Sequence, residues 1–373
     1  MLRYSTAGES HGPCLVATID GFPYGTPVSL DHVNAELARR QGGYGRGARM
    51  MMEKDEAVAL SGVRHGHALG SPIALQIMNR VHNAEDLHPI TRPRPGHADL
   101  AGAMKFGTSD VRDISERSSA RETAARVAAG ALAASFLRLF DIDVFGFVLE
   151  IGGIESRPSA DEVRRVRDSS DLYGLDPQID GRWKEAVDGA KAAGDTLGGV
   201  FEVRVSGAPP GLGSHAGWEE KLDGALARAL MSVQTVKAVE VGAGFGAARL
   251  RGSEMHDEIA KGPDGRLVRT RNNAGGIEGG MTNGQPVVCR AACKPISTLR
   301  KSLGTVDLES GEAAAAAYER SDVCVVPAAS VIGEAVVAFE IARAFLDKFG
   351  GDSYEETGRR HESYRKGLER FPP

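Results

Sequence analysis

Short stretches in which apolar residues alternate with polar ones, or run together, recur along this chain. LVATID (15–20), EAVALSG (56–62), PIALQIM (72–78), DVFGFVLEI (143–151), GVFEVRV (199–205), KAVEVG (237–242) and PVVCRAA (286–292) predict strands. Apolar positions spaced three and four apart predict helices at 30–40, 120–140, 219–233 and 333–349. Another is predicted to start at Ser159, where Ser-x-x-Glu with Glu162 reads as a capping box. Long helices stand apart from groups of strands, so the expected class is α+β. No Pro/Ser-rich linker divides the chain, so residues 1–373 are read as one domain.

A faint internal echo runs through two stretches. EAVALSGVRHGHALGSPIALQIMN (56–79) and EAVDGAKAAGDTLGGVFEVRVSG (185–207) share E-A-V, then G-x-x-L-G, then alternating apolar residues. Ile73, Leu75 and Ile77 would correspond to Phe201, Val203 and Val205. A duplicated β-α unit and a chance likeness of glycine-rich stretches both account for it.

Charge narrows the function. With 45 Lys+Arg against 50 Asp+Glu the net charge is -5, which argues against a generally basic nucleic-acid binder. Any anion site must come from locally clustered arginines. Four cysteines, with no C-x-x-C pair, form no disulfide framework and suggest a reducing, cytoplasmic compartment. No apolar signal core opens the chain and no run reaches the roughly 18 apolar residues of a membrane span, so a soluble protein is expected. Cys289 and Cys293 with scattered histidines show no metal spacing, and no metal is expected. The 47 glycines, near double the roughly 7% average, imply many tight turns and close backbone approaches.

The candidate chemistry sits in a few glycine-flanked stretches. TAGESHGP (6–13) satisfies G-x-S-x-G through Gly8, Ser10 and Gly12, the spacing of a hydrolase nucleophile elbow. An elbow needs a strand before the serine and a helix after it, whereas a strand pattern follows Gly12. His11 in the same loop is a candidate general acid, since imidazole titrates near about pH 6.5. ARRQGGYGRGAR brings Arg39, Arg40, Arg46 and Arg49 among glycines. This suits an anion-binding loop, a solvated surface loop or an RGG-like RNA-binding segment. In ERSSARET, Ser119 and Glu122 form a capping box, with Arg117, Ser118 and Arg121 around the helix start as an anion seat. The Ala/Gly-rich helix behind it reads as buried. VEVGAGFGAA matches G-x-G-x-x-A at Gly242, Gly244 and Ala247, but no apolar helix follows, which argues against a dinucleotide site.

GESHG, RRQGGYGR, RPGHAD, ERSSARET, NNAGGIEGG, KPIST and RSDVC, in this order over nearly the whole chain, resemble the chorismate synthase family. The resemblance implies loss of phosphate and a C6 hydrogen from 5-enolpyruvylshikimate 3-phosphate to give chorismate, using reduced FMN with no net redox change. It implies an α+β sandwich with an internal helical core and outer antiparallel sheets, assembled as a homotetramer, with neither nucleic acid nor membrane as partner. No second nucleotide fold argues for a built-in flavin reductase, so an external source of reduced FMN is expected.

By the same resemblance, His11 is the acid meeting the leaving phosphate, His97 the proton donor on the flavin N1 side, and Asp322 the residue helping flavin N5 remove the C6 proton. Ser10, Arg40, Arg46, Arg49 and Arg121 would hold the substrate's phosphate and carboxylates. The flavin would be met by Arg117, Ser118, Ser119, Gln234, Thr235, Gly279, Lys294, Pro295, Ile296, Ser297, Thr298 and Arg320. The chain departs from the family pattern at Ala243, often Asp, at Ile296 and Thr298, and in RSDVC where RHDPC is the usual form. None of these changes removes a proposed catalytic group. The runner-up readings are a serine hydrolase centred on Ser10 and an RNA-binding module using the Arg/Gly loop.

Overall fold

All seven alternating stretches form strands within one residue of the predicted limits. The computed structural model describes residues 1–47, 54–80, 82, 87–157, 163–263, 265–319 and 321–371. Four strands, β1 (Arg3–Ala7), β2 (Cys14–Asp20), β3 (Ala57–Ser61) and β4 (Ile73–Met78), make an antiparallel sheet ordered β1-β2-β4-β3. Five more, β5 (Asp143–Ile151), β6 (Ile154–Glu155), β7 (Gly199–Ser206), β8 (Val236–Val241) and β9 (Val287–Cys293), make a second, ordered β8-β9-β7-β5-β6 and also antiparallel. In β2 and β9 every second side chain is buried, the alternation of a sheet with one face on the core.

The main helices are α1 (Leu30–Gln41), α2 (Asp99–Phe106), α3 (Arg112–Ser118), α4 (Thr123–Arg138), α5 (Val163–Ser169), α6 (Pro177–Ala192), α7 (Leu222–Met231), α8 (Val326–Phe349) and α9 (Tyr354–Leu368). Helix α4 packs on β2 and β4, α8 packs on β5 and β7, and the two helices pack on each other. The result is an α+β sandwich with the sheets outside a helical core. Close approach explains the composition of α4. A Cβ on Gly130 would lie 2.3 Å from the Ala335 carbonyl oxygen, so only a bare α-carbon fits at this crossing. From Thr123 to Leu137 only Arg126 and Ser135 escape burial.

The helix predicted at 120–140 is split into a 3-10 turn, Ala120–Glu122, and α4. Ser119 does cap, but it accepts from the Arg121 N–H, while Glu122 turns to Thr6 and Arg126, so the predicted box does not form. Helix α8 begins seven residues before the predicted start. Pro327 opens its first turn, and burial on nearly every side removes the amphipathic period there. The Ser159–Glu162 box lies outside the described residues. Helix α6, capped by Asp176 through the Gln178 N–H, ends the duplication reading: 185–187 are helical where 57–61 are strand. Only β4 and β7 correspond. No helix among the described residues is long and apolar enough to cross a membrane.

Candidate active site

The N-terminal ends of α4 and α8 meet at a cavity of about 510 Å³, where Thr123 of α4 and Ala328, Ala329 and Ile332 of α8 form part of the wall. Two positive helix ends and a volume typical of small-molecule sites favour an anionic ligand. Among the described residues, Arg40, Arg46, Arg94, Arg121 and Lys294 face it against Glu116, Glu319 and Asp322. The local charge is therefore positive although the chain is acidic.

Ser10 and His11 lie in the connection between β1 and β2, two antiparallel strands, so the strand-to-helix turn of a nucleophile elbow is absent there. Ser119 Oγ donates to Ser10 Oγ at 3.2 Å. His11 Nδ1 lies 2.9 and 3.0 Å from the two carboxylate oxygens of Glu116, and the His11 N–H donates to Glu116 Oε2 at 2.7 Å. Burial pushes the Glu116 carboxyl up, but the His11 hydrogen bonds outweigh it and hold the group below its ordinary value.

His97 is built in parallel fashion. Its Nδ1 meets the fully buried Asp99, whose carboxylate also accepts from Arg94 Nε (2.8 Å), Nη2 (3.0 Å) and backbone N–H (3.0 Å). Burial alone would raise Asp99, yet the His97 and Arg94 hydrogen bonds hold it far below the usual carboxylate range. Arg94 Nη2 donates further to Ser115 Oγ at 2.6 Å, next to Glu116 on α3. One short helix thus touches the supports of both histidines.

Arg40 and Arg121 are buried around one carboxylate, Asp55, with Arg40 Nη1 at 3.4 Å and Arg121 Nη1 at 2.6 Å. Burial pulls the Arg40 guanidinium down to about 10 against the opposing charge of Asp55. Arg121 Nη2 and Arg46 Nε are buried without a hydrogen-bond partner, an arrangement that suits ligand oxygens. The described part of the Arg/Gly loop, up to Gly47, is strapped down. The Val323 N–H donates to Gly45 O at 2.8 Å, Tyr44 Oη donates to Asp188, and Asp322 accepts from Arg46 Nη1 (2.7 Å) and the Gly47 N–H (2.6 Å). This opposes the solvated-loop and RNA-binding readings alike, because Arg39, Arg40 and Arg46 all point into ion pairs.

A second part of the wall comes from Ser118, Ser119, Gln234, Thr235, Lys294, Ile296, Ser297 and Thr298, all named by the sequence. Gln234 Oε1 is buried without a partner, an acceptor for a ligand N–H. Thr235 stands at φ +78, unusual for a β-branched residue and characteristic of functional turns. Burial, with Lys237 adding, lowers the Lys294 ammonium, whose Nζ donates to Gly96 O at 2.7 Å.

Three expected residues are elsewhere. Arg117 reaches the Thr6 and Gly8 carbonyls, Gly279 lies in the turn between the paired strands Ile277–Glu278 and Met281–Thr282, and Pro295 does not line the wall. Arg49 and Arg320 lie outside the described residues. Arg94, Asp99, Ser115, Glu116 and Asp55 were not picked out from sequence. The His-x-Asp spacing of His97 and Asp99 was the one local signal.

Against known proteins, the chorismate synthase family model matches residues 2–346. The chorismate synthase of Geobacter metallireducens is 53% identical, with 100% of both chains covered. That of Symbiobacterium thermophilum is 51% identical over 99% of this chain and 100% of its own. A solved structure described as the crystal structure of chorismate synthase superposes with a TM-score of 0.82 at 42% identity, covering 99% of each chain.

Proposed function

The chain belongs to the chorismate synthase family, and we propose that it eliminates phosphate from 5-enolpyruvylshikimate 3-phosphate to give chorismate, the last step of the shikimate pathway. In this carbon-oxygen lyase reaction the C6–H and C3–O bonds break, the C–H electron pair becomes part of the new diene, and phosphate leaves with the C–O pair. The observation that carries the reading is a pair of carboxylate-backed histidines in one arginine-lined cavity.

Arg40, Arg46 and Arg121 are suited to the phosphate and two carboxylates of the substrate, and the unpartnered Nη2 of Arg121 and Nε of Arg46 each have a proton to give. His11 would donate to the departing phosphate oxygen, since a phosphate leaves more readily once protonated or hydrogen-bonded. His97 would hold a proton on the opposing, cofactor side. Asp322 would help receive the C6 proton, since its carboxylate has acceptor capacity beyond the bonds from Arg46 and the Gly47 N–H.

The residues present fit reduced FMN: Gln234 Oε1 is an orphaned acceptor for a ring N–H, and Lys294 with Ser118, Ser297 and Thr298 offers donors for ring carbonyls and a phosphate. When bound, the reduced flavin supplies electron-rich chemistry that no side chain has. We propose further a cytoplasmic homotetramer, for which exposed Met104, Phe106 and Phe245 are apolar surface available for burial. Light scattering of the purified protein tests the assembly. The function is tested anaerobically with purified protein, reduced FMN and 5-enolpyruvylshikimate 3-phosphate, following chorismate and phosphate together. Equal release of both is expected, and no product overturns the reading.

A further inference from the structure

Both histidines of the cavity meet their carboxylate through the same ring nitrogen. His11 Nδ1 faces Glu116 and His97 Nδ1 faces Asp99. An ionised carboxylate only accepts hydrogen bonds, so each Nδ1 carries the proton, and in a neutral ring the lone pair is then on Nε2. Arg94 Nη2 also lies 3.0 Å from His97 Nδ1, but its two protons are engaged by Asp99 Oδ1 and Ser115 Oγ, so it is a neighbour and not a donor to the ring.

The supports are more deeply buried than the rings they hold. Glu116 is 5% exposed and grips His11 twice, at the ring and at the backbone N–H, so the ring's tilt is fixed relative to its loop. Asp99 is fully buried and held at three points by Arg94, whose Nη1 also reaches Thr298 Oγ1 at 3.3 Å. A carboxylate fixed this firmly sets a tautomer, because the alternative would set the Nδ1 lone pair, or in a flipped ring a C–H, against an ionised oxygen and lose one charged hydrogen bond.

We propose that Glu116 and Asp99 are positioning residues that lock His11 and His97 in the Nδ1–H tautomer, making Nε2 the nitrogen through which each exchanges a proton with ligand. The assignment of ligands rests on the lyase reading, whereas the tautomers themselves do not.

The test is a long-range proton–nitrogen NMR correlation on the full-length protein labelled with 15N-histidine, at a pH where the rings are neutral. His11→Asn and His97→Asn identify the two signals by their loss. Both rings should show a protonated Nδ1 and an unprotonated Nε2, the minority tautomer of a free histidine side chain in water. Glu116→Gln should move only the His11 pattern and Asp99→Asn only that of His97, and Glu116→Gln should lower turnover by about 10²-fold, the low end of a general acid's contribution. A wild-type spectrum with the proton on Nε2 of either ring overturns the proposal, as does a Glu116→Gln enzyme within threefold of wild type. A wild-type protein that makes no chorismate overturns the lyase reading instead, while its spectrum still decides the tautomers.

Discussion

Arg46 Nη1 lies 2.7 Å from Asp322 Oδ2, joining residues 276 positions apart across the cavity wall. The contact gives Arg46 two calls on its charge, the aspartate now and an anionic substrate on binding. Arg46→Ala should raise KM for 5-enolpyruvylshikimate 3-phosphate and lower kcat/KM roughly 10- to 100-fold, the worth of a charged hydrogen bond. Asp322→Asn should lower kcat with KM little changed. Steady-state kinetics under anaerobic conditions separate the two, and an unaltered KM in Arg46→Ala would remove it from the substrate site.

Asp55 is fully buried at its side chain and is shared by Arg40 and Arg121. Asp55→Asn would leave two buried guanidiniums facing one neutral amide. Breaking such an arrangement from one side costs about 3–5 kcal/mol, so a clear fall in Tm is expected. An anion can take over part of the lost charge. Inorganic phosphate should therefore raise Tm more in Asp55→Asn than in wild type, read by thermal unfolding with and without phosphate.

Strand positions and most of the cavity's loops were legible because both are local. Alternation found β2 and β9, and glycine-flanked arginines marked the loop around Arg46. What the sequence hid is pairing. Glu116 is 105 positions from His11 and Asp55 is 66 from Arg121, and no spacing rule joins them. Arg117 shows that a motif does not give a side chain's direction. It sits in the right motif, but α3 carries its side chain toward the Thr6 and Gly8 carbonyls. Helix α6 escaped because an amphipathic stretch with Gly181 and Gly189 carries weak periodicity, with Trp183 and Val187 its buried anchors.

Gly130 tests the helical core. Alanine is the better helix former by about 1 kcal/mol, so an isolated helix would gain from Gly130→Ala. Here the added Cβ would lie 2.3 Å from the Ala335 carbonyl oxygen and 2.5 Å from its Cβ, and both helices are flanked by sheets that resist separation. Overpacking should win, with a net loss of about 1–3 kcal/mol in urea unfolding. A variant more stable than wild type would mean that the crossing is looser than described.

His32 gives the chain a stability term that titrates. It lies in a second hollow with Arg39, Arg138, Arg164 and Arg167, balanced by Glu36, Asp143 and Asp168. Burial, with the Arg138 guanidinium 3.0 Å from Nε2 adding, pushes the imidazole down to about 4. The unfolded chain takes up this proton near pH 6.5 and the folded one only near 4. Stability from this group is therefore whole above about pH 6.5 and is lost as the pH falls toward 4, by at most about 3 kcal/mol. His361 is also lowered by burial and slopes the same way, so the variant difference is what isolates His32. His32→Gln keeps an acceptor for Arg138 without a titrating ring. Between pH 7.5 and 5 the urea midpoint of wild type should fall more than that of His32→Gln, and parallel falls would show that His32 is protonated equally in both states.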